Sequence, residues 1–277
     1  MIKVGFIGLG RIGKPMAVNI LKAGFDLTVY DLRAEPMREL VQHGAKAAYS
    51  PKELAEGADL VEIVVVDDGQ VEEVSLGERG LVAGARADSI IAIHSTVTPG
   101  TVKRLAEIGK QKPVQVIDAP ISGGEAGARE KTLCYMVGGD TGVLERCREV
   151  FSTSASEIFH MGALGSGAVA KMIVQVATCI HMMATHEAEL LAERSGLDFA
   201  VLQKVLHASS GQSFVADHWI DRFKLPQDPM DVRRRRTEVF QKSLGPALEV
   251  AQEMGLSIPG AIVAERLLPR IMGIEDC

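Results

Sequence analysis

The stretch IKVGFIGLGRIGKPMAVNILK, residues 2–22, carries a β-branched run straight into Gly8-Leu9-Gly10-Arg11-Ile12-Gly13 and from there into a helical pattern. Each glycine has a physical task in a strand-to-helix turn. The first makes the turn tight, the second lets the backbone approach a ligand, and the third lets helix pack on strand. The helix behind them would offer unpaired N–H groups to an anion such as a pyrophosphate. A chain that opens this way is committed to a βαβ unit.

The rest of the first half keeps that rhythm. IKVGFIG, LTVYD, LVEIVVV, SIIAIHS, VQVIDAP and TLCYMVGG read as strands, and amphipathic segments such as PMRELVQHG separate most of them. The pattern predicts an α/β protein with a mostly parallel, doubly wound sheet. From about residue 165 it changes. Residues 166–194 hold no proline and repeat apolar residues at Val169, Met172, Ile173, Val176, Ile180 and Met183, which predicts one long helix closed by Gly196. Asp198 then reads as the N-cap of a further helix, and beyond the Pro- and Asp-rich LPQDPMD another helical run follows through EVFQKSLGPALEVAQEMG. The expected division is a dinucleotide-binding domain over 1–162 and an all-helical domain for substrate and oligomer contacts over 163–277. The long helix is expected to join them and to floor a cleft.

Composition narrows the function classes. With 47% hydrophobic residues and a net charge of −6, the chain can build a core and lacks the dense basic face that nucleic acid requires. MIKVGFIG shows no signal-peptide pattern, and no uninterrupted apolar run is expected to cross a bilayer, so a cytoplasmic protein without membrane partners is expected. Cys134, Cys147, Cys179 and Cys277 have neither ligand spacing nor a disulfide pattern and are expected as reduced thiols. His207 and His218 are too isolated for a metal site, and His181 and His186 read as helix packing. No metal is expected.

Asp31, 23 residues after Gly8, ends the second strand pattern. A carboxylate there accepts both adenosine ribose hydroxyls and repels a 2′-phosphate, so NAD is favoured over NADP. Arg33 could reach such a phosphate and make the preference leaky, or be a solvated loop charge. Pro120-Ile121-Ser122-Gly123-Gly124 offers a hydroxyl and unobstructed N–H groups to a carboxylate; composition alone reads it equally as an ordinary flexible loop. Lys171, Gln175 and Thr178 share one helical face. An exposed lysine is a poor proton shuttle at neutral pH, and partial burial would bring its pKa into range.

In order, GFIGLGRIGKPMAVNILKAG, DAPISGGEAGAREKTLCYMVGG and GALGSGAVAKMIVQ resemble the three signature segments of the β-hydroxyacid dehydrogenase family. The resemblance covers essentially the whole chain. It implies a Rossmann domain followed by a helical one, and an NAD-dependent enzyme that interconverts a small β-hydroxyacid and its semialdehyde or oxo acid. It places the substrate carboxylate on Ser122, Gly123 and Gly124, and general acid/base catalysis on Lys171 with Gln175 orienting. The cofactor is expected on Gly8 to Gly13, Asp31, Val65, Val66, Thr96 and Lys242. A homodimer or homotetramer is also implied.

Several positions depart from the family pattern. Val174 follows the lysine where a polar residue is common, Ser243 replaces an aspartate after Lys242, and Arg235 stands where an aromatic is usual. Lys131 replaces a turn glycine and His94 an aspartate. The run Arg233–Arg236 reads as a solvated helix face or oligomer contact, or as a source of one arginine that pairs with a second substrate anion. Two other readings stay open: a reductase of another carbonyl or imine on the same scaffold, against which Lys171 argues, and a dinucleotide-binding scaffold that has lost catalysis.

Overall fold

The computed structural model describes residues 2–110, 112–224 and 227–275. Leu225 and Pro226 of LPQDPMD, and the expected thiol of Cys277, lie outside the described residues. Contacts divide the chain into two compact units, one ending at Lys171 and one beginning at Met172.

The first unit is the expected doubly wound α/β sheet. Among the described residues its strands are β1 (Lys3–Ile7), β2 (Asp26–Tyr30), β3 (Lys46–Ala47), β4 (Leu60–Ile63), β5 (Ile90–Ile93), β6 (Gln115–Asp118), β7 (Ile121–Ser122), β8 (Leu133–Gly138) and β9 (Ala155–Gly162). They lie in the order β3-β2-β1-β4-β5-β6-β8-β7, with β9 beside β8. Pairing from β3 to β6 is parallel, and β8 runs antiparallel to β6 and β7. β4 and β5 are buried at every residue, as strands covered on both faces must be. One face packs around Phe6, Met16, Leu27, Tyr135 and Phe151, the other around Ile7, Leu54, Ile63, Ile91 and Val102. Strand order reverses beside β1, so the glycine turn after β1 opens at the crevice where such sheets bind ligands.

The long helix spans Ser166–Arg194. Its end is closed as the sequence implied: Gly196 adopts φ +70°, and the Leu197 N–H reaches back to the Ala192 carbonyl at 2.9 Å. By length and composition alone this helix passes the test for a membrane span, with a stretch of mean hydropathy 1.4, although Lys171, Gln175 and His181 interrupt its apolar residues. A single lysine among so many alanines, valines and methionines does not break the average.

The second unit is all-helical among the described residues, with helices Phe199–His207, Phe214–Asp217, Met230–Glu253 and Pro259–Ile271 and one wide turn at Trp219–Phe223. Asp198 caps the first of them by accepting the Ala200 N–H at 2.8 Å. Cys179, Met182, Trp219, Leu244, Ala264 and Leu268 form its core.

Candidate active site

The turn after β1 has the shape that the three glycines suggest. Gly8 sits at φ +93°, where a Cβ would overlap the Val64 carbonyl, and a Cβ on Gly13 would overlap the Gly8 carbonyl. Nothing lies within 4 Å of where a Cβ on Gly10 would stand. Turn and helix are therefore locked together while the space over Gly10 is left clear for an anion; the helix Gly13–Lys22 begins there, with the Lys14 and Met16 N–H groups donating to the Gly10 and Ile12 carbonyls. These residues fit a dinucleotide pyrophosphate. Ile12 is half-buried and packs on the core below the turn.

Asp31, just past β2, lies against the glycine turn. Its Oδ2 accepts the Leu9 N–H at 2.7 Å and its Oδ1 accepts the Arg33 N–H at 2.8 Å. The Arg33 guanidinium lies 3.1 Å from Asp31 Oδ1 and donates to the Leu9 carbonyl at 3.1 Å. Burial pushes the Asp31 carboxyl up, but the hydrogen bonds from Arg33 and Leu9 outweigh it and hold the group below its ordinary value. It is a carboxylate at neutral pH. Beyond β4, the Val65 N–H donates to Ser95 Oγ at 2.9 Å, joining that loop to half-buried Thr96. Val66 is exposed and its N–H donates to Gln70 Oε1 at 3.0 Å.

The second group lies along β7 and β8. Ser122 pairs with Cys134 across the antiparallel edge. Gly123 and Gly124 adopt φ +128° and +64°, and the helix Gly124–Glu130 starts from them. Lys171, the last residue of the first unit, is 8% exposed. Burial lowers its pKa to about 8, and the neighbouring Cys134 thiol opposes that in part. Burial and Glu157 push the Cys134 thiol up while Lys171 pulls it down, which places thiol and amine within each other's field. The first unit thus brings together Gly8 to Gly13, Asp31, Val65 and Thr96 on one side, and Ser122, Gly123, Gly124 and Lys171 on the other. Arg11 bridges the two: its Nε lies 2.8 Å from Oε2 of Glu125, the residue after Gly124.

Gln175 and Lys242 belong to the second unit. Gln175 is buried, one turn beyond Lys171 on the same helix, and Lys242 is exposed on Met230–Glu253. Ser243 is buried and donates to the Val239 carbonyl at 2.7 Å, so its hydroxyl serves its own helix. The four arginines separate. Arg235 is exposed and pairs with Asp231 at 2.6 Å, while Arg236 bonds Asp228 at 3.0 Å and Arg233 donates to the Asp228 carbonyl at 3.0 Å. His186 is buried with Nδ1 4.0 Å from Glu189, which accepts from Trp219 Nε1 at 3.0 Å and from Lys224 Nζ at 2.7 Å. Lys131, in place of a turn glycine, is forced to φ +61°.

Sequence reasoning missed Glu125, Cys134 and Asp118. Glu125 carried no signal beyond adjacency to SGG, and Cys134 meets Ser122 only through strand pairing. Asp118 carried one, an acid ending a buried parallel strand, where charge needs a reason.

A family model for the NAD binding domain of 6-phosphogluconate dehydrogenase matches residues 3–162, and one for the NAD-binding of NADP-dependent 3-hydroxyisobutyrate dehydrogenase matches 165–273. The 3-hydroxyisobutyrate dehydrogenase of Pseudomonas aeruginosa is 36% identical over 96% of this chain and 91% of its own length. The 2-(hydroxymethyl)glutarate dehydrogenase of Eubacterium barkeri is 31% identical over 99% and 91%. Among solved structures, Mycobacterium tuberculosis 3-hydroxyisobutyrate dehydrogenase with L-serine is similar at TM-score 0.84 and 27% identity, covering 99% of this chain and 94% of that one. With a dinucleotide turn that fits its ligand and relatives that align end to end, the chain belongs to the β-hydroxyacid dehydrogenase family and is an NAD(P)-dependent oxidoreductase.

Proposed function

We propose that this enzyme interconverts a small β-hydroxyacid and its semialdehyde or oxo acid, with NAD preferred and Lys171 as general acid/base. The observation that carries the reading is the buried Lys171 amine with a pKa brought to about 8, beside the Ser122–Cys134 edge. An amine at that value exchanges protons near neutrality, whereas an exposed lysine near 10.5 stays charged. The Ser122 hydroxyl and the N–H groups of Gly123 and Gly124 hold the substrate carboxylate. Neutral Lys171 takes the hydroxyl proton as the C–H bond breaks and the carbonyl forms; in reverse its ammonium protonates the developing alkoxide. NAD(P), when bound, supplies the hydride acceptor. Gln175 orients the lysine or the substrate oxygen, and Thr96, Val65 and Val66 flank the dinucleotide. The same reading makes the protein a cytoplasmic homodimer or homotetramer, for which exposed Leu191, Val201, Val205 and Ile262 of the second unit supply apolar surface.

The test is turnover of a panel that includes 3-hydroxyisobutyrate, L-serine and 2-(hydroxymethyl)glutarate with NAD and NADP, native against Lys171→Ala. The oxidation rate should rise with pH through about 8, because the lysine must be neutral to accept a proton. Undiminished turnover by the variant sinks the assignment, and dinucleotide binding without turnover of any acid would favour a scaffold. Cofactor choice has its own check. Asp31→Asn should erode the preference for NAD, and Arg33→Ala should sharpen it by removing a cation from the 2′ side.

A further inference from the structure

Asp118 ends β6 with no exposed surface at all. Its Oδ1 accepts the Gly165 N–H at 2.7 Å and its Oδ2 accepts the Ala168 N–H at 2.7 Å. Those amides belong to the start of the long helix, 47 and 50 residues away in sequence. Burial holds the Asp118 carboxyl above its ordinary value, and the N–H groups of Gly165, Ala168 and Gly167 pull it only part of the way back. The surroundings are shaped around it: a Cβ on Gly138 would stand 2.5 Å from Oδ1, and one on Gly167 would stand 2.8 Å from Oδ2. Asp118 is also the residue of β6 that pairs with Gly138 of β8. The carboxylate therefore joins β6, β8 and the first turn of the helix at one point.

Two candidate groups hang from that point. Ser122 follows Asp118 by four residues along the chain, and Lys171 follows Ala168 by three, about 4.5 Å further along the helix on the same face. We propose that Asp118 is a positioning residue: by holding the helix start it sets where the Lys171 amine stands relative to the Ser122–Gly124 loop. This rests on the proton-transfer reading of Lys171. An aspartate suits the task because both oxygens accept and neither donates. Asparagine would present an NH2 group to one of the two amides and leave that amide unpaired. The first turn would then fray and the amine would move, and a displacement on the scale of 1 Å suffices to cost about 100-fold in rate.

The test is a double-mutant cycle on the full-length enzyme with Asp118→Asn and Lys171→Ala. Asp118→Asn should lower kcat about 10- to 100-fold, leave NADH affinity within about twofold, and cost nothing further once Lys171 is alanine. Additive losses would overturn the proposal. A second readout does not depend on activity. Acylation of Lys171 by acetic anhydride, mapped by peptide mass, should speed up about tenfold in Asp118→Asn while other lysines are unchanged. An unchanged Lys171 labelling rate would also overturn it. If Lys171→Ala alone leaves turnover intact, the proton-transfer reading fails while the labelling still judges the clamp. Asp118→Ser, a smaller N-cap, serves if the asparagine variant does not fold. In the native protein the Gly165 and Ala168 amides should exchange slowly with solvent, and exchange at free-amide rates would count against the clamp.

Discussion

Asp118 and Glu62 are carboxylates on β6 and β4 of one sheet, both out of reach of solvent, and their surroundings have little in common. Each Asp118 oxygen takes a backbone N–H at 2.7 Å. Neither oxygen of Glu62 has a hydrogen-bond partner among the described residues; it faces His94 Nε2 at 3.5 Å, which also has none. The other His94 nitrogen contacts the Ala119 carbonyl at 2.8 Å, and Tyr135 and Phe151 pack edge-on against the ring at 5.2 Å. Backbone donors are supplied by the fold and serve a fixed direction. A lone side-chain pair in an apolar core serves neither well, since desolvation takes back most of what attraction gives. Buried charge next to the candidate site is held to a geometry, whereas in mid-core it is only tolerated.

The sharpest probe of this contrast is Lys171→Met. Removing the amine should cost about 10²- to 10⁴-fold in turnover while urea unfolding shows a more stable protein, because a desolvated ammonium is lost. A stability loss would mean that the amine has a compensating partner. Next comes the core pair. His94→Leu should destabilise by about 3–5 kcal/mol by stranding Glu62, and adding Glu62→Leu should recover most of it. Equal cost in the single and double variants would mean that the loss comes from packing around His94 and not from a stranded Glu62. The pH dependence of stability is third. The unfolded lysine keeps its proton up to about 10.5 and the folded one releases it near 8, so stability should rise by about 3 kcal/mol between those values and be flat below. It should be read as native minus Lys171→Met, since Cys147 and Cys179, pushed up to about 12, work the opposite way above pH 9. A difference curve without slope would place the amine in water. The smallest effect belongs to an exposed pair. Glu125→Gln, which unties Arg11 and Arg129, should change stability by less than about 1 kcal/mol, and a larger change would show that surface pairs here resemble buried ones.

What could be read from the sequence was local. Gly8 and Gly13 announce their turn because each answers a contact within a few residues or on the next strand, while Gly10 leaves space open. Gly196 and Asp198 mark a helix end and start for the same reason. The antiparallel edge formed by β7 and β8 was not legible, since TLCYMVGG reads as a strand whichever way it runs. The helix around Pro246 also begins earlier than its apolar pattern, taking in the arginine run from Met230. The sequence assigns Asp118 no task, because its partners are amides of Gly165 and Ala168 and an amide carries no residue-specific mark. His94 and Glu62 meet only because β4 and β5 are neighbours, which alternation of strands and helices does not specify.

The boundary between the compact units falls between Lys171 and Met172, inside a continuous helix. A chimera spliced there to a relative's downstream half would inherit Asp118, Ser122 and Lys171 from a single parent. On the proposed roles, the lysine, the clamp that holds it and the carboxylate loop would travel as one heritable block, while Gln175 and Lys242 would come from the other parent. Recombination at this point would part the proton carrier from the residue proposed to orient it.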